Sequence, residues 1–281
     1  MSASTSVAGF GEFDLPFEGT SIHYWRGGKG QPLLLLHGSG PGASTLSNFS
    51  AILAPLAERF DVVAADLVGF GLSGRKASQP YFDMAMWGRQ ADALIALFAG
   101  AGKVGLLGHS LSGALVLKAA ARNPRVGAVM TTGTMGVATQ RRAGSRGWAY
   151  PDGKDQIREH AARTVVDPSL ISDEEISRRQ AVLQAPGYRE YFESMFGEAA
   201  DVYAERSAVS DAELAAIRCP VVLTHGADDR SFTPESTSIA LARKLRQADV
   251  AIFANTAHSV ALEQPHKLLD IAVPFFQRNL G

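Results

Sequence analysis

Two rhythms of apolar residues organise the chain. Short unbroken apolar runs at Pro32–Leu36, Phe60–Ala65, Val104–Leu107 and Val126–Thr132 are separated by longer stretches of helical period. A run of this length without alternation suits a strand buried on both faces of a sheet. Between the runs, Phe49–Phe60, Met84–Ala101 and Ala114–Arg122 read as helices, with Pro55 blurring the ends of the first. Phe10–Trp25 alternates instead, around a Gly19 turn, which predicts a hairpin. Strands and helices in this succession predict fold class α/β: a mostly parallel sheet with helices on both faces.

After Thr132 the rhythm changes. From Gly136 to about Arg206 the chain is polar, charged and helical, with no run that could be a buried strand. This predicts an inserted helical cap, 136–206, between two parts of one core, 1–135 and 207–281. Tyr188, Tyr191, Phe192, Met195 and Phe196 recur at helical spacing behind Pro186-Gly187. Such a face packs down on the core; above the strand ends it could also line a cleft. The strand pattern then resumes at Pro220–Thr224 and Asp249–Phe253, with helices at Leu241–Leu245 and Gln264–Leu280.

Composition narrows the function classes. A chain of 281 residues, 46% of them hydrophobic, can bury a large core. A net charge of −1 gives no general attraction to nucleic acid or to an anionic membrane. The single cysteine, Cys219, cannot make an internal disulfide and reads as a small core residue. The stretch MSASTSVAGFGEF lacks a basic region followed by a long apolar one, and Leu33–Leu36 is too short to span a bilayer. A soluble cytoplasmic protein that acts on a small molecule is therefore expected.

The candidate chemistry starts at VGLLGHSLSG, residues 104–113. A strand passes through a tight turn directly into a helix, with Ser110 at the apex. Gly108 stands two residues before it and Ser112 two after, so the stretch fits the nucleophile elbow G-x-S-x-G with Ser112 in place of the last glycine. A serine hydroxyl needs a base, and the base needs an orienting acid. On an elbow fold the chain order is serine, acid, histidine. Asp228 and Asp229 follow the strand ending at Thr224, and His258 follows the next strand. Both loops lie at carboxyl ends of strands, where open α/β sheets bind ligands. Asp229 is the preferred acid and His258 the preferred base; His37, His109 and His225 are weaker candidates for the base. An oxyanion needs donors. The backbone amide of Leu111 supplies one, and the small residues Gly38–Gly40, in particular Ser39 and Gly40, supply the other. HGSGPGA lacks the lysine and the spacing of a phosphate loop. No histidine and carboxylate cluster has metal-ligand spacing, and a serine triad requires neither metal nor cofactor.

With these residues in place, the chain resembles the α/β-hydrolases. More narrowly, it resembles the meta-cleavage product hydrolases, which cut carbon–carbon bonds in ring-opened aromatic compounds, the 2-hydroxymuconate-semialdehyde hydrolases being the nearest subgroup. The motifs that carry the resemblance run along almost the whole chain: LLLLHGSGPGA, SNFS, DLVGFGLS, GHSLSGALVL, TTGTMG, LISDEEISRRQAVLQAPGYREYFESMF, HGADDRSFTP and ANTAHSVALEQP. The resemblance implies a cofactor-free hydrolase of ring-fission products, and a possible homodimer. It implies that Asn48 lies near the polar end of the substrate and that Arg179 stabilises the dienolate leaving group. It also places Ser39 against the substrate beside the oxyanion turn. Two positions that face the dienoate in the family depart from its pattern: His109 replaces Asn, and Ser259 replaces Trp. These departures motivate an alternative, a carboxylesterase or lactonase using the same triad on a small ester.

Overall fold

A computed structural model describes residues 7–138 and 148–281. The first residues of the N-terminal stretch and part of the expected cap, 1–6 and 139–147, lie outside the described residues. Eight strands are present: β1 (Phe10–Phe17), β2 (Thr20–Gly27), β3 (Gln31–Leu36), β4 (Phe60–Ala65), β5 (Val104–His109), β6 (Val126–Thr132), β7 (Val221–Gly226) and β8 (Ala248–Phe253). They form one sheet in the order β1-β2-β4-β3-β5-β6-β7-β8. The hairpin β1–β2 joins β4 antiparallel, and every pairing beyond β4 is parallel.

This order explains where a site can form. From β3 the chain steps outward to β4, then returns to β5 on the other side of β3. Reversal of direction opens a crevice at the carboxyl ends of β3 and β5. Leu36 at the end of β3 stands opposite Gly108 of β5, so the HGSGPGA turn and the Ser110 turn emerge side by side.

Both faces of the sheet are covered, which is why the central strands carry no polar alternation. Leu33, Leu35, Leu107 and Met130 pack under α1 (Thr45–Ala57) and α11 (Pro265–Leu280). Leu34, Leu36, Leu106 and Val129 pack under α2 (Met84–Ala96) and α3 (Leu111–Arg122). α1 begins four residues before Phe49 because Ser44 caps it: the Ser44 hydroxyl accepts from Ser47 N–H, and the Ser47 hydroxyl from Ser44 N–H. Pro55 stays inside this helix. α2 stops short of Ala101, and its end tightens into three-residue turns that finish at Gly100, φ +77°.

Between β6 and β7 the described residues form α4 (Gly153–Ala162), α5 (Asp173–Leu183), α6 (Tyr188–Met195), α7 (Ala200–Ser207) and α8 (Asp211–Ala216). After β7 come α9 (Ser238–Ala242), shifted three residues ahead of its expected start, and α10 (Val260–Glu263). The α4–α7 segment is tied to the carboxyl-end loops. Tyr188 Oη donates to Gly69 O at 3.1 Å, and Ser259 N–H to Thr164 O at 2.8 Å. Tyr188, Tyr191, Phe192, Met195 and Phe196 are all buried, and Phe196 packs against Phe70 and Phe82. Of their two possible roles, packing on the core is the one observed. Among the described residues no helix is long and apolar enough to cross a membrane.

Candidate active site

The turn after β5 holds Ser110 at φ +54°, ψ −115°, a conformation that strains a serine by about 1–3 kcal/mol. Backbone bonds over-determine it: Ser110 N–H donates to Thr132 O, and Ser110 O accepts from Gly113 and Met135 N–H. The small neighbours are needed for space. A Cβ on Gly108 would lie 2.2 Å from Ser112 O, and one on Gly113 2.1 Å from Thr134 Oγ1. Ser112 does more than a glycine could. Its hydroxyl donates to His37 O at 2.5 Å and so ties the elbow to the end of β3.

Ser110, His258 and Asp229 are brought together from loops after β5, β8 and β7. His258 Nε2 lies 3.0 Å from Ser110 Oγ, and His258 Nδ1 lies 2.6 Å from Asp229 Oδ2. The other Asp229 oxygen accepts from Ser231 and Phe232 N–H at 2.8 and 3.0 Å. Burial works to raise the Asp229 pKa, but the His258 and His225 imidazoles hold it well below the usual carboxylate range. Asp228, by contrast, is exposed. A carboxylate fixed in this way orients an imidazole whose far nitrogen can take the serine proton.

The three weaker base candidates make no hydrogen bond to Ser110. His37 Nε2 accepts from Leu67 N–H at 2.9 Å, so Nδ1 carries the proton and donates to Gly38 O at 2.6 Å. Burial lowers its pKa. It joins the β3 and β4 loops and touches no reactive group. His225 meets Asp229 Oδ2 at 3.1 Å through Nε2 rather than Ser110. His109 places Nδ1 3.1 Å from Thr132 O, and its ring lies 4.8 Å from that of His258. Burial, reinforced by His258, keeps the His109 pKa well below the usual histidine value.

The oxyanion candidates fit unequally. Leu111 is the first residue of α3, so its amide has no partner within the helix. Gly38 N–H is already given to Asn48 Oδ1 at 2.9 Å, which leaves Ser39 and Gly40 from that turn. The Asn48 amide therefore shapes the oxyanion turn as well as lining the cleft.

A cleft of ≈ 460 Å³ opens over Ser110 and His258, and Ser39, Gly40, Asn48, His109, Arg179 and Ser259 all line it. Arg179 rather than Arg178 faces this space. Arg179 is buried, donates to Pro41 O at 3.1 Å and to Glu175 Oε1 at 2.6 Å, and packs its own backbone against Gly42. Arg178 turns away to Glu174 and Glu175. Ser259 Oγ lies 2.9 Å from Thr164 Oγ1, which braces the end of α4 beside His258.

The structure adds residues that the sequence reading missed. Trp148 Nε1 donates to Ser39 Oγ at 3.1 Å, and its ring stacks on Phe196. His160, Arg163 and Arg230 also line the cleft, and none of the described residues lining it is a carboxylate. Burial, with Arg179 and Arg163 adding to it, pushes the His160 pKa down to about 4, so its ring is neutral at pH 7. The spacing of His160 and Arg163 on one helix face was the available signal, hidden because polar residues on a polar helix are ordinary. Among the described residues no group of three metal-ligating side chains exists.

Known proteins resemble this chain in sequence and in fold. Residues 33–271 match the sequence profile of the alpha/beta hydrolase family. The chain is 33% identical over 239 residues to a 2-hydroxy-6-oxo-2,4-heptadienoate hydrolase of Pseudomonas putida, covering 84% of this chain and 86% of the relative. It is 28% identical to a 2-hydroxymuconate semialdehyde hydrolase of Pseudomonas sp. (strain CF600), covering 91% and 89%. A solved meta-cleavage product hydrolase from Pseudomonas fluorescens IP01 superposes with TM-score 0.86 at 26% identity, covering 95% of this chain and 97% of that one. The match runs from β3 to α11 and takes in the elbow, the acid and the histidine alike; the chain belongs to the alpha/beta hydrolase family and resembles, within it, the meta-cleavage product hydrolases.

Proposed function

We propose that this chain is a serine-type hydrolase that cleaves a carbon–carbon bond of a ring-fission product of the 2-hydroxy-6-oxohexa-2,4-dienoate type, in aromatic-compound catabolism. The single observation that carries the reading is the Ser110–His258–Asp229 relay, at 3.0 and 2.6 Å, opening into a cleft with Arg179 and Asn48 on its wall. The names of the relatives support the substrate class. The proposal includes the division into a core, 1–135 and 207–281, and a cap, 136–206. It also includes a cytoplasmic location, from the sequence, and a homodimer, from the resemblance; fractionation and light scattering check these two.

The steps follow from the positions of the groups. The enol of the substrate ketonises, which makes the carbon next to the distal ketone a workable leaving group. Ser110 Oγ attacks that ketone carbon while its proton passes to His258 Nε2. The Leu111 amide and those of Ser39 and Gly40 receive the oxyanion. Collapse breaks the carbon–carbon bond, and the electron pair spreads over a dienolate held by Asn48 and the Arg179 guanidinium. His258 returns the proton to the leaving carbon. Water, deprotonated by His258, then releases the acyl group from Ser110. A carbanion leaves only if its charge is stabilised as the bond breaks, which is the part given to Arg179. His109 and Ser259 line the same cleft, and the proposal sets both against the dienoate.

The test compares decay of the coloured dienoates made from catechol, 3-methylcatechol and 2,3-dihydroxybiphenyl with hydrolysis of p-nitrophenyl esters. Dienoate turnover well above ester turnover, lost in Ser110→Ala, is expected. Ester turnover alone would replace this reading with a carboxylesterase or lactonase on the same triad.

A further inference from the structure

The reactions above leave one wholly buried imidazole in contact with the acid and without a task. His225, the penultimate residue of β7, places Nε2 3.1 Å from Asp229 Oδ2 and 2.8 Å from Phe232 O. Both neighbours are acceptors, so Nε2 carries the proton. Its Nδ1 lies 2.7 Å from the hydroxyl of Ser238 at the start of α9, which holds the other edge of the ring.

We propose that His225 is a positioning residue for the acid: it shares Asp229 Oδ2 with His258 and fixes that oxygen toward the His258 ring. The inference rests on the triad reading and adds a second histidine to it. One N–H holds both ends of a short turn. At Asp229 Oδ2 it steers the carboxylate, and at Phe232 O it closes the turn whose Ser231 and Phe232 amides hold Oδ1. Asp229 therefore accepts four hydrogen bonds, two on each oxygen. Only the one to His258 leads to Ser110. Ser238 holds the Nδ1 edge of the His225 ring, so the chain of contacts runs from α9 through β7 and the turn to His258. The second donor on Oδ2 also tempers the carboxylate as an acceptor for His258, because a shared lone-pair region binds each donor less strongly.

Other charged or titratable groups face this pair. His109 lies 4.8 Å from the His258 ring, and Asp228 and Glu263 act electrostatically near Asp229. Glu263 is engaged by Val166 and Ala257 N–H, and Asp228 is exposed. None of them donates to Asp229.

The experiment is the pH profile of kcat/KM, on a p-nitrophenyl ester and on a dienoate, for the full chain and its variants. His225→Phe should lower kcat roughly 10- to 100-fold with KM unchanged, the loss of one charge-assisted hydrogen bond. Its acid limb should move to higher pH, because Asp229 without the second donor binds the His258 imidazolium more strongly. His225→Gln, which returns an N–H near the Nε2 position, should recover most of kcat and the original limb. Ser238→Ala removes the contact at Nδ1 and loosens the ring without removing its Nε2–H, and should move the limb in the same direction by less. An unmoved acid limb in His225→Phe, or in Ser238→Ala where His225→Phe does not fold, overturns the role. So does a His225→Gln variant as impaired as His225→Phe. Full turnover in Ser110→Ala on both substrates would remove the triad reading itself and this role with it, an outcome separate from those above.

Discussion

The two walls of the cleft are built differently. On the core wall, Ser110, His258 and Asp229 sit on turns locked by strands, and nearly every constraint on them is a backbone bond or a buried donor. On the wall formed by α4 and α5, Arg179 is held by a carboxylate four residues away and one carbonyl, while His160 makes no side-chain hydrogen bond to any described residue. The core wall is over-determined, and the α4–α5 wall is held by fewer bonds. Such a division lets the reaction stay fixed while the groups that meet the substrate change, because polar side chains on a surface helix can be exchanged without disturbing a packed sheet.

Variants on each wall test that contrast. The largest effect is expected from Asp229→Asn, which leaves the space filled but misdirects His258: kcat should fall by about 10³–10⁴ on esters and dienoates alike. Arg179→Gln should separate the two substrates. Dienoate cleavage should drop by about 10²–10³, the scale of losing a preorganised oxyanion donor, while ester cleavage stays within about tenfold. Equal losses on both would show that Arg179 only ties α5 to the Pro41 turn.

A pH effect on stability comes next. The His160 pKa, about 4 in the folded chain, lies below its unfolded value of about 6.5. Between those values the unfolded state binds the extra proton, so stability is full above about pH 6.5 and falls as pH drops toward 4. The loss is on the order of 2–3 kcal/mol. Thermal unfolding of His160→Gln from pH 7 to 4 should show a shallower decline than the parent. The smallest effect belongs to Ser259→Ala, which removes the hydroxyl contact to Thr164. It should destabilise by about 0.5–1.5 kcal/mol and change KM more than kcat, since the bond braces the end of α4 and not the triad. A larger fall in kcat than in Asp229→Asn would reverse the comparison of the two walls.

The sequence was most legible where local chemistry leaves one solution. Unalternating runs such as Leu33–Leu36 can only be sheathed strands, and β4 and β6 fall on the predicted residues. The elbow was legible because a serine between Gly108 and Ser112, at a strand-to-helix turn, meets steric demands that few residues satisfy. Helix ends were less so. The start of α1 depended on a Ser44–Ser47 cap outside the usual pattern, and the end of α2 on a turn at Gly100.

By itself, then, the sequence determined the α/β class, the order of serine, acid and histidine, and the residues able to fill those places. These follow from periodicity and backbone sterics, which act over a few residues. Only the tertiary structure decided which of four histidines meets Ser110, that Arg179 and not Arg178 turns inward, and that His160, Arg163 and Arg230 share the cleft. Contacts between residues as far apart as Arg179 and Pro41 depend on how α5 packs over the strand ends, and no local pattern encodes that packing.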